Sequence, residues 1–164
     1  MKKVLFFLFP MLLLFASCSR QSNDTQQLQG QIDSLQKKLL NTYKPGLGEF
    51  MLGIQLHHAK LWFAGQNQNW KLADFEVHEI GEALDDIKQY CTDRPEVKSI
   101  HLIDPAINSI TEAIKQKDLQ LFKKSFADLT NNCNNCHRTT QHEFNVVTIP
   151  TGLPVVNQDF KPVK

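Results

Sequence analysis

Apolar residues recur at steps of three and four along most of this chain, the period of a helix that buries one face. Leu47, Met51, Ile54, His58 and Leu61 keep that period with Trp62 flanking the same face, and Gly65-Gln66-Asn67-Gln68-Asn69 reads as the turn that ends the segment. A second helix is expected from about Trp70 to Tyr90, with Ala73, Val77, Ile80, Leu84 and Ile87 inward and Glu76, Glu79, Glu82 and Asp86 outward. The pattern weakens through Arg94 and Pro95 as far as Asp104-Pro105, where the aspartate is expected to cap a helix and the proline to take its first turn. Ile107, Ile110 and Ile114 give that third helix its face. The fourth opens on Asp118 as cap and carries Leu119, Phe122, Phe126, Leu129, Cys133 and Cys136 without a break in the period. Short loops between such segments imply antiparallel neighbours. The expected fold class is therefore all-α, a four-helix up-and-down bundle over residues 45–143.

The flanks follow other rules. Before the bundle, Leu28, Ile32, Leu35 and Leu39 form a short coiled-coil-like seam, with Gln31, Gln36, Lys37 and Lys38 outside it. It reads equally as an oligomerisation stalk or as a helix lying against the domain. Pro45, Gly46 and Gly48 end it and mark the boundary of the main domain. After His142 the helical period is lost. Residues 144–164, with Pro150, Gly152, Pro154 and Pro162, read as an extended C-terminal tail, and Phe144, Val146, Val147, Ile149, Leu153, Val155, Val156 and Phe160 suggest that it packs on the bundle.

The chain opens with Lys2 and Lys3 and an apolar run from Val4 to Phe15, too short for a comfortable membrane span. It ends in Leu14-Phe15-Ala16-Ser17-Cys18, which resembles the lipobox of bacterial lipoproteins. That resemblance implies a signal peptide over residues 1–17, lipid on Cys18, and a tether with a short heptad helix over residues 18–44. The protein is then expected in the bacterial cell envelope, facing the periplasm, held to the membrane by lipid. Removing residues 1–17 leaves 147 of 164 residues and, with Lys2 and Lys3 gone, takes the formal charge from +1 to −1. One core and one domain fit that length. A near-neutral chain without a basic patch gives no reason to expect nucleic acid.

If Cys18 carries lipid, Cys91, Cys133 and Cys136 remain, an odd number that argues against a disulfide framework. Cys91 reads as a small core residue or a free thiol. Cys133-Asn134-Asn135-Cys136-His137 is a different matter, because it spells the C-x-x-C-H motif of covalent haem attachment. The two thiols stand about one helical turn apart and add to the two vinyl groups of haem, while the adjacent histidine swings beneath the ring to bind iron. A thiol redox pair usually lies at a helix N-terminus near a βαβ pattern, and a zinc site would want a fourth ligand; neither context is present. The motif implies one covalent haem c, with His137 as proximal axial ligand.

On the opposite side of the iron, Met51 and His58 are alternative candidates, since an antiparallel pairing would bring the early turns of the first helix to the late turns of the fourth. They are seven residues apart, roughly 10 Å by helical rise, so only one could ligate, and an open or water-bound iron is the third option. Trp62, and with it Trp70, could wall the haem. Asn157, Gln158 or Phe160 of the tail could cover its edge. His57, His78, His101 and His142 read as surface residues.

A four-helix bundle with one haem on a C-terminal motif resembles the cytochrome c′ group, the class II c-type cytochromes. Gln55-Leu56-His57-His58-Ala59-Lys60-Leu61-Trp62-Phe63-Ala64-Gly65, Asn69-Trp70, Cys133 to His137 and Asn157-Gln158-Asp159-Phe160 look like a more particular branch of small bacterial single-haem proteins. The resemblance covers roughly Leu47 to Phe160. It implies attachment through Cys133 and Cys136 and ligation by His137. The long tail departs from cytochrome c′, which stops soon after its motif. The expected function is one-electron transfer between redox partner proteins of the envelope. No nucleophile stands with a base, so no enzyme activity is expected. Two alternatives stay open: a haem-based binder or sensor of nitric oxide or carbon monoxide, and a non-haem lipoprotein that forms homo-oligomers through Leu28 to Leu39.

Overall fold

A computed structural model of the protein describes residues 24–39, 42 and 44–163, so the expected signal at 1–17 and the lipidation site Cys18 lie outside the described residues. The chain divides into two compact units between Lys44 and Pro45. In the first, helix α1 (24–39) carries the heptad seam, and all four of its apolar residues, Leu28, Ile32, Leu35 and Leu39, are exposed.

The second unit is built from α2 (Leu47–Gln66), α3 (Trp70–Tyr90), a 3-10 helix (Pro95–Ile103), α4 (Asp104–Gln116) and α5 (Leu119–Thr139). Among the described residues there is no strand. Each helix packs on the next and α5 returns to α2, which makes a helical bundle around Leu61, Ile80, Ile87, Ile110, Phe122 and Phe126. No described helix is long and apolar enough to cross a membrane.

The helix ends follow from local chemistry. Asp118 caps α5 as expected, its carboxylate accepting the N–H groups of Gln120 and Leu121 at 2.8 and 3.0 Å. Asn69 does the same for α3, accepting from Leu72, and Glu49 reaches back to the Gly46 N–H at 3.1 Å to open α2. Asp104 is not a cap. The 3-10 helix runs directly into α4, Asp104 is itself helical with its N–H bonded to the His101 carbonyl, and no side chain caps the junction.

Four other expectations are corrected. Gly65 is not part of the turn but lies inside α2, where a Cβ would overlap the Phe122 ring; the absence of a side chain lets α5 come close. Glu76 does not face outward. Its side chain is fully buried, with His57 Nδ1 at 2.7 Å from one oxygen and Lys60 Nζ at 2.9 Å from the other, off the line a hydrogen bond prefers. His57 is accordingly half-buried and paired rather than a surface residue, whereas His78 and His101 are exposed and His142 is partly so. The tail packs only in places. Phe160 is buried against Phe63 and Val155 against the core, while Phe144, Val146, Leu153 and Val156 are exposed.

Candidate functional site

The unbroken apolar stripe of α5 places its last turns against the first half of α2, and the two helices leave a space between them. A cavity of about 420 Å³ opens there, walled by Met51, Leu52, Ile54, Gln55 and His58 of α2 and by Cys133, Cys136 and His137 of α5. Leu84 of α3 and Ile100 and Ile103 of the 3-10 helix form its apolar back, and Asn145 and Val147 of the tail close another side. Beside it lies a smaller space of about 200 Å³ that shares Met51, Cys136, His137 and Asn145 and adds Arg94, Glu96, Thr140 and His142. Cys133, Cys136, His137, Met51 and His58, five residues chosen from the sequence, thus meet at one cavity.

The thiols are held as neutral S–H groups. Burial, then the neighbouring Cys136, pushes Cys133 up to about 12, and burial also raises Cys136. The Cys136 thiol lies 3.7 Å from the Ser99 carbonyl, near enough for a weak bond. Both stand in the closing turns of α5, where the helix dipole opposes a thiolate. A disulfide-exchange pair needs a depressed thiol pKa, and this environment does the reverse. Cys91, at the end of α3, is buried apart from this site.

The two histidines on the wall differ in which nitrogen is engaged. His137 Nδ1 bonds to the Asn145 carbonyl at 2.6 Å; a carbonyl only accepts, so Nδ1 carries the proton and Nε2 is left with a free lone pair. That is how a metal-ligating imidazole is commonly held. His58 is the opposite case. Its Nε2 is 2.9 Å from Thr130 Oγ1, and the Thr130 hydroxyl already donates to the Phe126 carbonyl at 2.9 Å, so Nε2 carries the proton. Burial lowers the His58 pKa to about 4, and its ring packs on Phe126 with centroids 4.5 Å apart. At neutral pH it is a satisfied, uncharged core histidine.

The remaining candidates fall elsewhere. Trp62 is not on the cavity wall; it packs on Phe126 and Phe122 with centroids 4.8 and 6.3 Å apart, and Trp70 meets Phe122 edge-on at 6.0 Å. Phe160 is held at the far end of α2 against Phe63, with Lys161 O accepting from Asn69, so the end of the tail does not cover the cavity. Of the tail residues that do reach it, Val147 is one of the apolar positions expected to pack on the bundle, while Asn145 carries no sequence signal of its own, and neither does Ile100 or Ile103 in a stretch without clear period.

The residues present fit a covalently held haem. Two thiols lie three residues apart on one helix, a free imidazole nitrogen follows, and the cavity falls in the range of roughly 300 to 1,000 Å³ that holds organic cofactors. Its walls are largely apolar, and its thiols and His58 are uncharged, which suits a flat apolar ring better than a small ion. Among the described residues no group of three or more His, Cys, Asp or Glu side chains is arranged to hold a bare metal ion. The chain matches no protein-family model, and no curated protein or solved structure shows significant similarity to it.

Proposed function

We propose that the protein is a single-haem c-type cytochrome, lipid-anchored through Cys18, that passes one electron at a time between partner proteins of the bacterial cell envelope. The observation that carries this reading is the meeting of Cys133, Cys136 and a His137 whose Nε2 is free at one apolar cavity. Haem bound there supplies a one-electron iron couple. The chain's own part is to hold the ring through the two sulfurs, to present Nε2 of His137 while Asn145 fixes its other nitrogen, and to exclude water with Ile54, Leu84, Ile100 and Ile103.

Of the two opposite-side ligand candidates, Met51 is favoured. His58 is held in the core by its bond to Thr130 and its ring contact with Phe126, whereas the Met51 thioether lines the cavity with no competing partner. The same observation supports the second reading, a gas-binding haem protein, if Met51 stays clear of the iron. Production of the full chain with a c-type haem assembly system tests both. The expected result is a coloured protein whose haem resists acid–acetone extraction and is lost from the covalent fraction in Cys133→Ser and Cys136→Ser. A colourless product sinks the haem reading and leaves an oligomerising lipoprotein, for which the exposed Leu28 to Leu39 seam is the support. A low-spin iron slow to take carbon monoxide supports electron transfer, and a high-spin iron that binds it readily supports the gas binder.

A further inference from the structure

Of the two residues enclosed by the cysteines, Asn135 is exposed and Asn134 is half-buried and engaged. Asn134 Nδ2 donates to the Val147 carbonyl and Asn134 Oδ1 accepts the Val147 N–H, both at 2.8 Å. Only one orientation of the amide satisfies both bonds. The pair imitates one rung of a β-ladder, with a side chain standing in for a strand. Two residues before Val147 is Asn145, whose carbonyl takes the Nδ1 proton of His137 at 2.6 Å. Asn134 and His137 are i,i+3 neighbours on α5, about 4.5 Å apart along its axis, and Val147 and Asn145 are roughly 6.6 Å apart in an extended chain. The strap from 145 to 147 therefore lies alongside the last turns of α5 with its two contacts nearly in register.

Beyond the turn that precedes Asn145, no other hydrogen bond among the described residues is seen to hold this strap. Phe144 and Val146, on either side of Asn145, are 80% and 67% exposed, and the ring contact of Phe144 is with His142 in the preceding turn. The Asn145 N–H bonds to the His142 carbonyl at 2.9 Å and the His142 N–H bonds in turn to the His137 carbonyl at 2.7 Å, so the near end of the turn is tied to α5 through the backbone and Asn134 fixes the far end. Val147 is the only strap side chain that is not exposed, and its backbone is what Asn134 grips.

We propose that Asn134 is a positioning residue for the iron ligand, its amide clamping Val147 so that the Asn145 carbonyl holds the Nδ1 proton, the tautomer and the ring plane of His137. This rests on the haem reading of the site and deepens it. A short bond from Nδ1–H to a carbonyl makes the imidazole a stronger donor to the metal, and freeing the strap weakens it. Removing the clamp leaves both cysteines and His137 in place, so haem is still attached, but the iron is bound by a less electron-rich ligand.

The test compares holoproteins of the wild type, Asn134→Ala, Asn134→Asp and Asn135→Ala. In Asn134→Ala the reduction potential is expected to rise and, measured in the Met51→Ala background where the iron is five-coordinate, the iron–histidine stretching frequency to fall. Asn134→Asp keeps the acceptor and loses the donor, and is expected to lie between. Asn135→Ala is expected to match the wild type, which separates the clamp from any general effect of altering the motif. A second readout needs no haem: in the full chain without cofactor, nitrogen NMR of His137 is expected to show the Nδ1-protonated tautomer in the wild type and a shift toward the Nε2-protonated form in Asn134→Ala. A coloured Asn134→Ala protein with unmoved potential and stretching frequency overturns the proposal and leaves the haem reading standing. A colourless wild type overturns both.

Discussion

The contact between α2 and α5 is built in two opposite ways along its length. Around residues 61–65 and 122–126 it is close-packed, with Trp62, Phe122 and Phe126 in mutual ring contact and Gly65 admitting the Phe122 edge. Around residues 48–58 and 133–137 the same two helices enclose about 420 Å³ of space lined by Met51, Cys133, Cys136 and His137. His58 and Thr130 stand at the border, hydrogen-bonded to each other. Protein interiors are packed to crystal density, so an unfilled end beside a close-packed one is not a lapse in hydrophobic supply. Phenylalanine fills this stripe of α5 at 122 and 126, and cysteine takes over at 133 and 136. The filled end holds the helices together, and the open end leaves the cavity on which the haem proposal rests.

The sharpest way to break that contrast is at the filled end. Phe122→Ala is expected to cost about 3 to 5 kcal/mol in denaturant unfolding, the range for removing a fully buried aromatic. Gly65→Ala is expected to cost about 1 to 3 kcal/mol, because the new methyl meets the Phe122 ring. The double variant should cost less than the two singly added, since the alanine would enter the space the ring vacates. Full additivity would show that Gly65 is not there for the approach of α5.

How legible this was in the sequence depends on the region. Period alone located α3 from Trp70 to Tyr90, the Asp118 cap and the α5 stripe, because each is set by residues close in sequence. The motif then gave the thiols and His137 their place at the cavity. Glu76 was misread because an acid in a helix pattern is taken as solvated, and its partners His57 and Lys60 stand on another helix. Gly65 was misread because a glycine beside Gln66 and Asn67 looks like a turn, while its reason lies across the interface in Phe122. Asp104 was misread as a cap because the irregular stretch before it is helical after all. Asn134 and Asn145 had no signal, since hydrogen bonds between a helix and a later strap have no period.

The border between the two ends responds to pH. The folded chain lowers the His58 pKa from 6.5 to about 4, so at intermediate pH the unfolded chain binds a proton that the folded chain refuses. Stability from this group is therefore full above pH 6.5 and is lost as pH falls toward 4. The loss is expected to be on the order of 3 kcal/mol at most. Urea melts of the chain without cofactor across that range check it, and His58→Gln should flatten the dependence. A wild type with the same slope as His58→Gln would mean that water reaches the ring. Thr130→Val acts at the same place and should cost about 1 to 3 kcal/mol by leaving the buried His58 N–H without its acceptor.

The smallest effect on stability is expected at the open end, and it is the most diagnostic. Met51 is only half-buried and one side of it already faces empty space, so Met51→Ala deletes few contacts and should change the stability of the chain without cofactor by about 1 kcal/mol or less. On the haem proposal, the same substitution should remove the sixth ligand, turning a low-spin spectrum high-spin and opening the iron to carbon monoxide. His58→Ala should do the reverse: a larger loss of stability, through the broken bond to Thr130 and the lost packing on Phe126, with the iron spectrum kept. The two variants thus separate a side chain that serves the filled end from one that serves the cavity. If His58→Ala alters the ligand field and Met51→Ala does not, the assignment is inverted, and the histidine bound to Thr130 through Nε2 would be serving the cavity through its other nitrogen.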